Sequence, residues 1–178
     1  MIRLFSALPL PGAVAERLEG LQRGLEGRPV TPANFHVTLA FYGEIPETQA
    51  EDLDAALSEI DAAGFDLWLD GVDAFGGAKP RALYAAVRPE PALERLQAKA
   101  AQAGRRAGLA LPAQKYTPHV TLTRFAEGAV GPETVAKRLA ARAAFLAGPI
   151  PVTRFALFQS YLGRKGPIYT EVASYPLR

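Results

Sequence analysis

The sequence predicts an α+β fold of two pseudo-symmetric lobes, each an antiparallel sheet with outer helices, around a central cleft. Each half of the 178-residue chain reads strand, helix, strand, helix, strand, and the closing strand of the first half, near Leu83 to Val87, can also open the second. The tetrapeptide His-Val-Thr-Leu occurs once in each half, at residues 36–39 and 119–122, on the corresponding strand. Two similar halves would bring these two strands near a pseudo-twofold axis and leave a cleft between them.

Seven segments are rich in β-branched and aromatic residues, which is typical of strands. They are Arg3 to Leu8, Phe35 to Tyr42, Phe65 to Phe75, Ala82 to Val87, His119 to Phe125, Val152 to Ser160 and Ile168 to Ser174. Two loops containing glycine and proline, Gly76 to Pro80 and Gly163 to Pro167, each separate two of these segments. Such loops predict hairpin connections, and both carry positive charge.

Four stripes of apolar residues at helical spacing predict the helices. The two stripes of the first half are Val14, Leu18, Leu21 and Leu25, then Leu53, Leu57 and Ile60 after Pro46. Those of the second half are Leu93, Leu96, Ala100 and Ala103, then Val135, Leu139 and Leu146 after Pro132. Proline favours the first position of a helix, so Pro132 supports the start of the last one.

Composition indicates one bilobal domain spanning residues 1–178, because a chain of this length can bury one substantial core. Apolar residues make up 49% of the chain and charged residues 21%, without a long uncharged apolar run, so we expect no membrane span. The segment from Met1 to Leu8 lacks the length and flanks of a signal peptide. We therefore expect a cytoplasmic protein, and a monomer.

The chain has no cysteine, which excludes disulfides, thiolate nucleophiles and zinc sites built on sulfur. It has two histidines, and neither has an acidic residue at ligand spacing, so we expect no metal and no cofactor. The formal net charge is only +2. Broad contact with a long nucleic acid is therefore not indicated, although the end of a nucleic acid could bind.

Both histidines lie in the repeated tetrapeptide, at His36 and His119. Successive side chains of a strand point to opposite faces, so each histidine shares a face with the threonine two residues later, Thr38 or Thr121. Two imidazoles can serve as acid and base near neutral pH, and hydroxyls can donate to phosphate oxygens. One His-x-Thr alone would favour a structural histidine, but the repeat favours a phosphate-centred site.

Tyr42 lies six residues after His36, and Phe125 stands in the same relation to His119. If the strands run that far, both aromatic rings share the histidine face and could stack on a base or ribose. The alternative is that both cover the core or the edge of the sheet. That alternative is favoured for Phe125, whereas Tyr42 is retained as a candidate substrate contact.

The two motifs, His36-Val37-Thr38-Leu39 and His119-Val120-Thr121-Leu122, resemble the H-x-T-x pair of the 2H phosphoesterase superfamily. Within it, the chain looks most like the RNA 2′,3′-cyclic phosphodiesterases of bacteria and archaea, also described as 2′-5′ RNA ligases. The resemblance spans essentially the whole chain. Its supporting segments are Arg3 to Phe5, Pro32 to Phe35, Phe41 to Glu44, Pro118, Arg124 and Gly166 to Tyr169.

The resemblance implies metal-independent hydrolysis of an RNA terminal 2′,3′-cyclic phosphate to a 2′-phosphomonoester, with possible 2′-5′ ligation in reverse. The residues alone do not show which histidine is the acid and which is the base. The resemblance implies that His36 donates a proton to the leaving O3′ and that His119 accepts one from water. Arg124 is similar to a family arginine that meets the phosphate. Strict alternation places Arg124 on the face opposite His119, so a bulge or twist near Thr123 is required, and a solvated strand-end arginine is the alternative.

Two rival functions remain open at this point. One is a phosphodiesterase for a small cyclic phosphate, such as a cyclic nucleotide or ADP-ribose cyclic phosphate. The other is a non-catalytic nucleotide- or RNA-binding module. A basic track leading away from the cleft would favour RNA, whereas a closed pocket would favour the small molecule.

Overall fold

Two antiparallel sheets form the framework of the protein. The structure is a computed structural model that describes residues 1–178. The first sheet has four strands, in the order β3 (His36–Ile45), β1 (Ile2–Pro9), β8 (Arg154–Gly163) and β9 (Gly166–Pro176). The second has five, in the order β2 (Arg28–Pro29), β6 (His119–Arg124), β5 (Ala82–Val87), β4 (Phe65–Phe75) and β7 (Leu146–Val152). The α+β class with two antiparallel sheets is confirmed.

Four α-helices accompany the sheets, each close to a predicted stripe. They are α1 (Gly12–Gln22), α2 (Glu47–Ser58), α3 (Pro91–Arg106) and α4 (Pro132–Ala140), and a short 3-10 helix (Pro32–Asn34) precedes β3. Proline occupies the first position of α3 and α4, where its missing N–H costs no hydrogen bond. The Glu90 carboxylate caps α3 by accepting a hydrogen bond from the Ala92 amide. None of the helices is long and apolar enough to cross a membrane.

The apolar residues of the repeated tetrapeptide anchor both histidine strands in the core. Val37, Val120 and Leu122 are fully buried, and Leu39 is nearly so. Burial of each such side chain contributes about 1.5–3 kcal/mol. A one-residue slip of either strand would expose these side chains, so their burial fixes the register that turns the histidines away from the core.

The lobes differ from the predicted sequence halves. The first sheet joins the N-terminal strands β1 and β3 to the C-terminal hairpin β8–β9, and the middle of the chain forms almost all of the second sheet. The reason lies in β1, whose residues Leu4 to Leu8 are all buried. A strand buried in this way requires a neighbour at each edge, and β3 and β8 supply them.

Both predicted hairpins are present, joining β4 to β5 and β8 to β9. One expectation about the later segments is wrong. Leu146 lies in β7, because α4 already ends at Ala140. The strand β7 was not among the predicted segments; it contains prolines at 149 and 151, which an edge strand tolerates, and β7 pairs only with β4.

Candidate functional site

One cleft brings together the side chains that the two motifs turn away from the core. His36 and Thr38 come from β3 of the first sheet, and His119 and Thr121 come from β6 of the second. All four line a single cavity of about 710 Å³, and Arg124 lines it too. The pairing of strands from different sheets explains how motifs far apart in sequence reach one cavity.

The His36 ring is held in one orientation by hydrogen bonds from both nitrogens. Its Nδ1 donates to the Asn34 carbonyl at 2.7 Å, so in the neutral ring Nε2 is unprotonated and lies 2.9 Å from the Thr38 hydroxyl, whose proton it accepts. The rings of Phe5 and Tyr169 pack against it, with centroids 5.0 and 5.4 Å away. This packing leaves the proton-transfer atom Nε2 on the cleft side.

Burial lowers the pKa of His36 from 6.5 to about 4, because the charged imidazolium loses its water. The hydrogen bond to the Asn34 carbonyl opposes this shift, and the nearby positive charges of Arg124 and His119 add to it. In the unliganded protein His36 is therefore neutral at pH 7. A bound anion would raise its pKa again, so protonation of His36 is linked to anion binding.

The His119 ring has a similar support from its own strand and sheet. Its Nδ1 donates to the Thr117 carbonyl at 2.6 Å, and the rings of Phe75 and Tyr84 lie 4.8 and 5.2 Å away. Burial lowers the pKa of His119, and the Arg124 charge lowers it further. Its Nε2 forms no hydrogen bond within the protein, so that atom is free to act as a base toward a molecule in the cleft.

A bulge places Arg124 on the histidine face of β6. Against β5, Tyr84 pairs with Thr121 while the next residue, Leu83, pairs with Thr123, so Leu122 is an extra residue on β6. The bulge reverses the alternation, and Arg124 reaches the cleft although it lies five residues after His119. Its guanidinium forms no ion pair within the protein.

A matching bulge in β3 makes the prediction for Tyr42 wrong. The register of β3 against β1 shifts at Leu39, and the alternation reverses there as well. Tyr42 consequently points into the core, where it is 6% exposed. Its hydroxyl donates to the Ala100 carbonyl at 3.1 Å and shares a 2.9 Å hydrogen bond with the Ser6 hydroxyl. Tyr42 therefore cannot stack on a ligand in the cleft. Phe125 is also buried, in agreement with the favoured interpretation that it covers the core or the edge of the sheet.

The same bulge brings Phe41, which was not a predicted site residue, into the cleft. Its ring is about half exposed, and the Arg3 guanidinium lies over it at 5.0 Å from the centroid. Phe41 stands five residues after His36, as Arg124 stands five residues after His119. That shared spacing is the signal that could have identified it.

The strands β1, β8 and β9 complete the wall of the cleft on the side of the first sheet. Their lining residues include Arg3, Phe5, Gln159, Ser160, Tyr161, Leu162 and Tyr169. Local sequence patterns could not assign the residues of β8 and β9 to the cleft, because these strands reach it only through the long-range pairing of β1 with β8.

Nowhere in the chain do three or more His, Asp or Glu side chains converge as a metal site would require. The cleft instead combines the two imidazoles and two threonine hydroxyls of the motifs with the guanidiniums of Arg3 and Arg124, neither of which forms an ion pair, and the carboxylate of Glu44. This set can bind an anionic group, give it hydrogen bonds and exchange protons with it from two sides. Metal-independent chemistry stays a prediction.

Comparison with known proteins identifies the family. A sequence model of the 2′-5′ RNA ligase superfamily matches residues 10–164. The chain belongs to this superfamily. The RNA 2′,3′-cyclic phosphodiesterase of Thermus thermophilus is 32% identical over 99% of this chain and 91% of that protein. The protein of the same name from Bacillus subtilis is 29% identical over 97% of this chain and 95% of its own length.

A solved structure shares the fold over nearly the whole chain. The crystal structure of Escherichia coli LigT complexed with 3′-AMP superposes with a TM-score of 0.80 and 27% identity, covering 99% of this chain and 98% of that one. The superposition extends over both sheets and the C-terminal hairpin. The two-lobed arrangement is therefore the fold of solved relatives.

Proposed function

We propose that this protein hydrolyses the terminal 2′,3′-cyclic phosphate of RNA to a 2′-phosphomonoester. The observation that carries the proposal is the convergence of both H-x-T-x motifs and Arg124 in one cleft. The names of its relatives, RNA 2′,3′-cyclic phosphodiesterases, support the substrate class. Both histidines of the chain lie in this cleft.

In the proposed mechanism His119 is the base and His36 the acid. The Nε2 of His119 takes a proton from a water molecule, whose oxygen attacks phosphorus in line with the leaving O3′. The P–O3′ bond breaks, and the protonated Nε2 of His36 gives its proton to O3′. The net result is addition of water across that bond, and proton exchange with solvent restores both histidines.

Thr38, Thr121 and Arg124 stabilise the charge that grows on the nonbridging phosphate oxygens. Preorganised donors of this kind contribute most where charge develops in the transition state. The lowered pKa of His36 also fits its role, since a buried imidazolium is a strong acid toward an alkoxide leaving group. Binding of the phosphodiester anion would raise the pKa of His36, so that His36 becomes protonated when substrate is present.

We further propose that residues 1–178 act as one bilobal domain, as a cytoplasmic monomer, without metal or cofactor. The same acid and base could run in reverse and join a 5′-hydroxyl to the cyclic phosphate, giving a 2′-5′ linkage. Hydrolysis is the favoured direction, because water is the more abundant nucleophile.

The decisive experiment offers the protein an oligoribonucleotide ending in a 2′,3′-cyclic phosphate, in the presence of chelator, and identifies the position of the product phosphate. We expect a 2′-phosphate and undiminished turnover. A 3′-phosphate product would overturn the regiochemistry. Absence of turnover, or turnover abolished by the chelator, would overturn the metal-free two-histidine mechanism.

A further inference from the structure

A second groove, of about 430 Å³, opens from the cleft at Arg124. It shares Arg124, Pro167 and Tyr169 with the cleft and continues along Arg28 on one wall and Lys165 on the other. No acidic residue lines it. The groove is therefore a concave cationic surface that begins where the reacting phosphate is proposed to lie.

The arrangement of Arg28 and Arg124 points to an anionic ligand. The two arginines are directly opposite each other on the neighbouring antiparallel strands β2 and β6. Like charges in that position destabilise a sheet. Neither guanidinium has a carboxylate partner among the six ion pairs of the protein. An anion held between them would relieve the repulsion and accept hydrogen bonds from both.

The opposite wall of the groove is tied to the first by a hydrogen bond near His36. The side-chain amide of Asn34 donates to the Pro167 carbonyl at 2.9 Å, and Pro167 lies at the start of β9, two residues after Lys165 of the β8–β9 turn. The Asn34 carbonyl also accepts the hydrogen bond that orients His36. Asn34 therefore contacts both the groove, through Pro167, and His36 in the cleft.

We propose that this groove binds the RNA phosphodiester immediately 5′ to the terminal nucleotide. The inference rests on the proposed function, in which His36 faces the ribose that carries the cyclic phosphate. That ribose also bears the next phosphate of the chain on its O5′, so the second phosphate lies one sugar away from the first. Arg124 stands between the two positions, and Arg28 and Lys165 supply the charge for the second.

A competing exit leads from the cleft past Arg105 and Lys115, between α3 and the segment before β6. It has two cations instead of three, and nine of its seventeen lining residues are hydrophobic. Phosphate groups are recognised by clustered cations and hydrogen-bond donors. We therefore assign the RNA backbone to the groove of Arg28 and Lys165, and the competing exit becomes an outcome of the test.

The test compares two substrates that differ by one phosphodiester. They are a nucleoside 2′,3′-cyclic phosphate with a free 5′-hydroxyl, and a dinucleotide ending in the same nucleotide. In the double variant Arg28→Ala, Lys165→Ala we expect the ratio of kcat/KM for the dinucleotide to that for the mononucleotide to fall about tenfold. The salt dependence of log KM for the dinucleotide should also weaken, by about 0.7 per lost phosphate contact.

The matched control is Arg164→Ala, which removes a charge from the same turn but lines neither the cleft nor the groove. An unchanged substrate ratio in the double variant, or an equal fall in the Arg164 control, would overturn the assignment. So would a fall seen only in Arg105→Ala, Lys115→Ala.

Turnover of neither substrate by the parent protein would overturn the proposed function instead. The groove is then judged without catalysis, by equilibrium binding of a nucleoside 2′-phosphate and of a dinucleotide ending in that phosphate. Tighter binding of the dinucleotide that disappears in the Arg28, Lys165 double variant supports the groove, and equal binding of both ligands overturns it.

Discussion

The two half-sites of the cleft, on β3 and β6, are built alike but end differently. Each has a histidine whose Nδ1 donates to the carbonyl two residues earlier, followed by a threonine and a bulge. The residue that the bulge delivers to the cleft is Phe41 on β3 and Arg124 on β6. The two half-sites thus share the arrangement of histidine and threonine, and the bulge adds a positively charged residue to the cleft on β6 but not on β3.

The two histidines also differ in their surroundings. His36 is enclosed by Phe5 and Tyr169 and its Nε2 is bonded to Thr38, whereas the Nε2 of His119 has no partner in the protein. Burial lowers both pKa values, and that of His36 falls to about 4. Identical motifs thus give their histidines different environments, and this difference supports the proposed assignment of His36 as acid and His119 as base.

Removal of either histidine should have the largest effect on activity. We expect His36→Ala and His119→Ala each to lower kcat by about 10²–10⁴, because each variant lacks one proton-transfer step. The assignment of roles predicts an asymmetry with an activated substrate. A phosphodiester with a p-nitrophenolate leaving group needs no protonation of that group, so His36→Ala should recover most of its activity and His119→Ala should not.

Steady-state kinetics on both substrates measure this asymmetry, and circular dichroism serves as the control for folding. Recovery by His119→Ala instead of His36→Ala would reverse the acid and base assignment. Equal recovery by both would show that the two half-sites are functionally equivalent, contrary to the difference in their surroundings.

Replacement of Arg124 should have the next largest effect. Loss of a preorganised charge on the transition state is expected to lower kcat by about 10²–10³ in Arg124→Ala. Arg124→Lys should recover part of this, because lysine keeps the charge but not the two-pronged donor geometry. Since Arg124 lowers the pKa of both histidines, the pH–rate profile of Arg124→Ala should also move to higher pH.

Phe41→Ala is the matched control, because Phe41 holds the corresponding position in the other half-site. We expect its effect to be smaller and to leave the pH–rate profile in place, since the ring carries no charge. An Arg124→Ala variant with an unshifted profile and no larger loss than Phe41→Ala would remove Arg124 from the phosphate site.

The contrast between Arg124 and Tyr42 shows how far sequence patterns reach. Alternation along each motif correctly assigned the histidines and threonines to one face and Val37, Leu39, Val120 and Leu122 to the other. Beyond the motifs it failed, because a bulge reverses the alternation and leaves no mark in the residue pattern. The bulge in β6 turns Arg124 toward the cleft, as its predicted role required. The bulge in β3 turns Tyr42 into the core, so the prediction for Tyr42 was wrong.

The pairing of β1 with β8 was likewise outside the reach of local patterns. Strand propensity located both segments, but which strands become neighbours depends on burial across the whole chain, where Leu4 to Leu8 need cover on both edges. The residues of β8 and β9 that line the cleft were missed for this reason. Helix starts were more predictable, since Pro91 and Pro132 act within one turn.

The smallest expected effect is on stability, and it tests the unequal burial of the two histidines. The pKa of His36 is about 4 in the folded protein and 6.5 when unfolded, so folding favours the neutral ring. Below pH 6.5 the unfolded chain binds a proton that the folded chain does not, and the free energy of unfolding should fall as the pH drops toward 4. A shift of this size corresponds to a loss of about 3 kcal/mol.

Urea unfolding at a series of pH values between 7 and 4 measures this loss. His36→Gln should remove the His36 contribution to the slope, because glutamine does not titrate, and His119→Gln should remove a smaller contribution. The comparison concerns slopes and not absolute stabilities, so a general destabilisation by either substitution does not affect it. A slope in His36→Gln equal to that of the parent would show that His36 keeps an ordinary pKa, and its proposed role as a strong acid held by burial would then lose its physical basis.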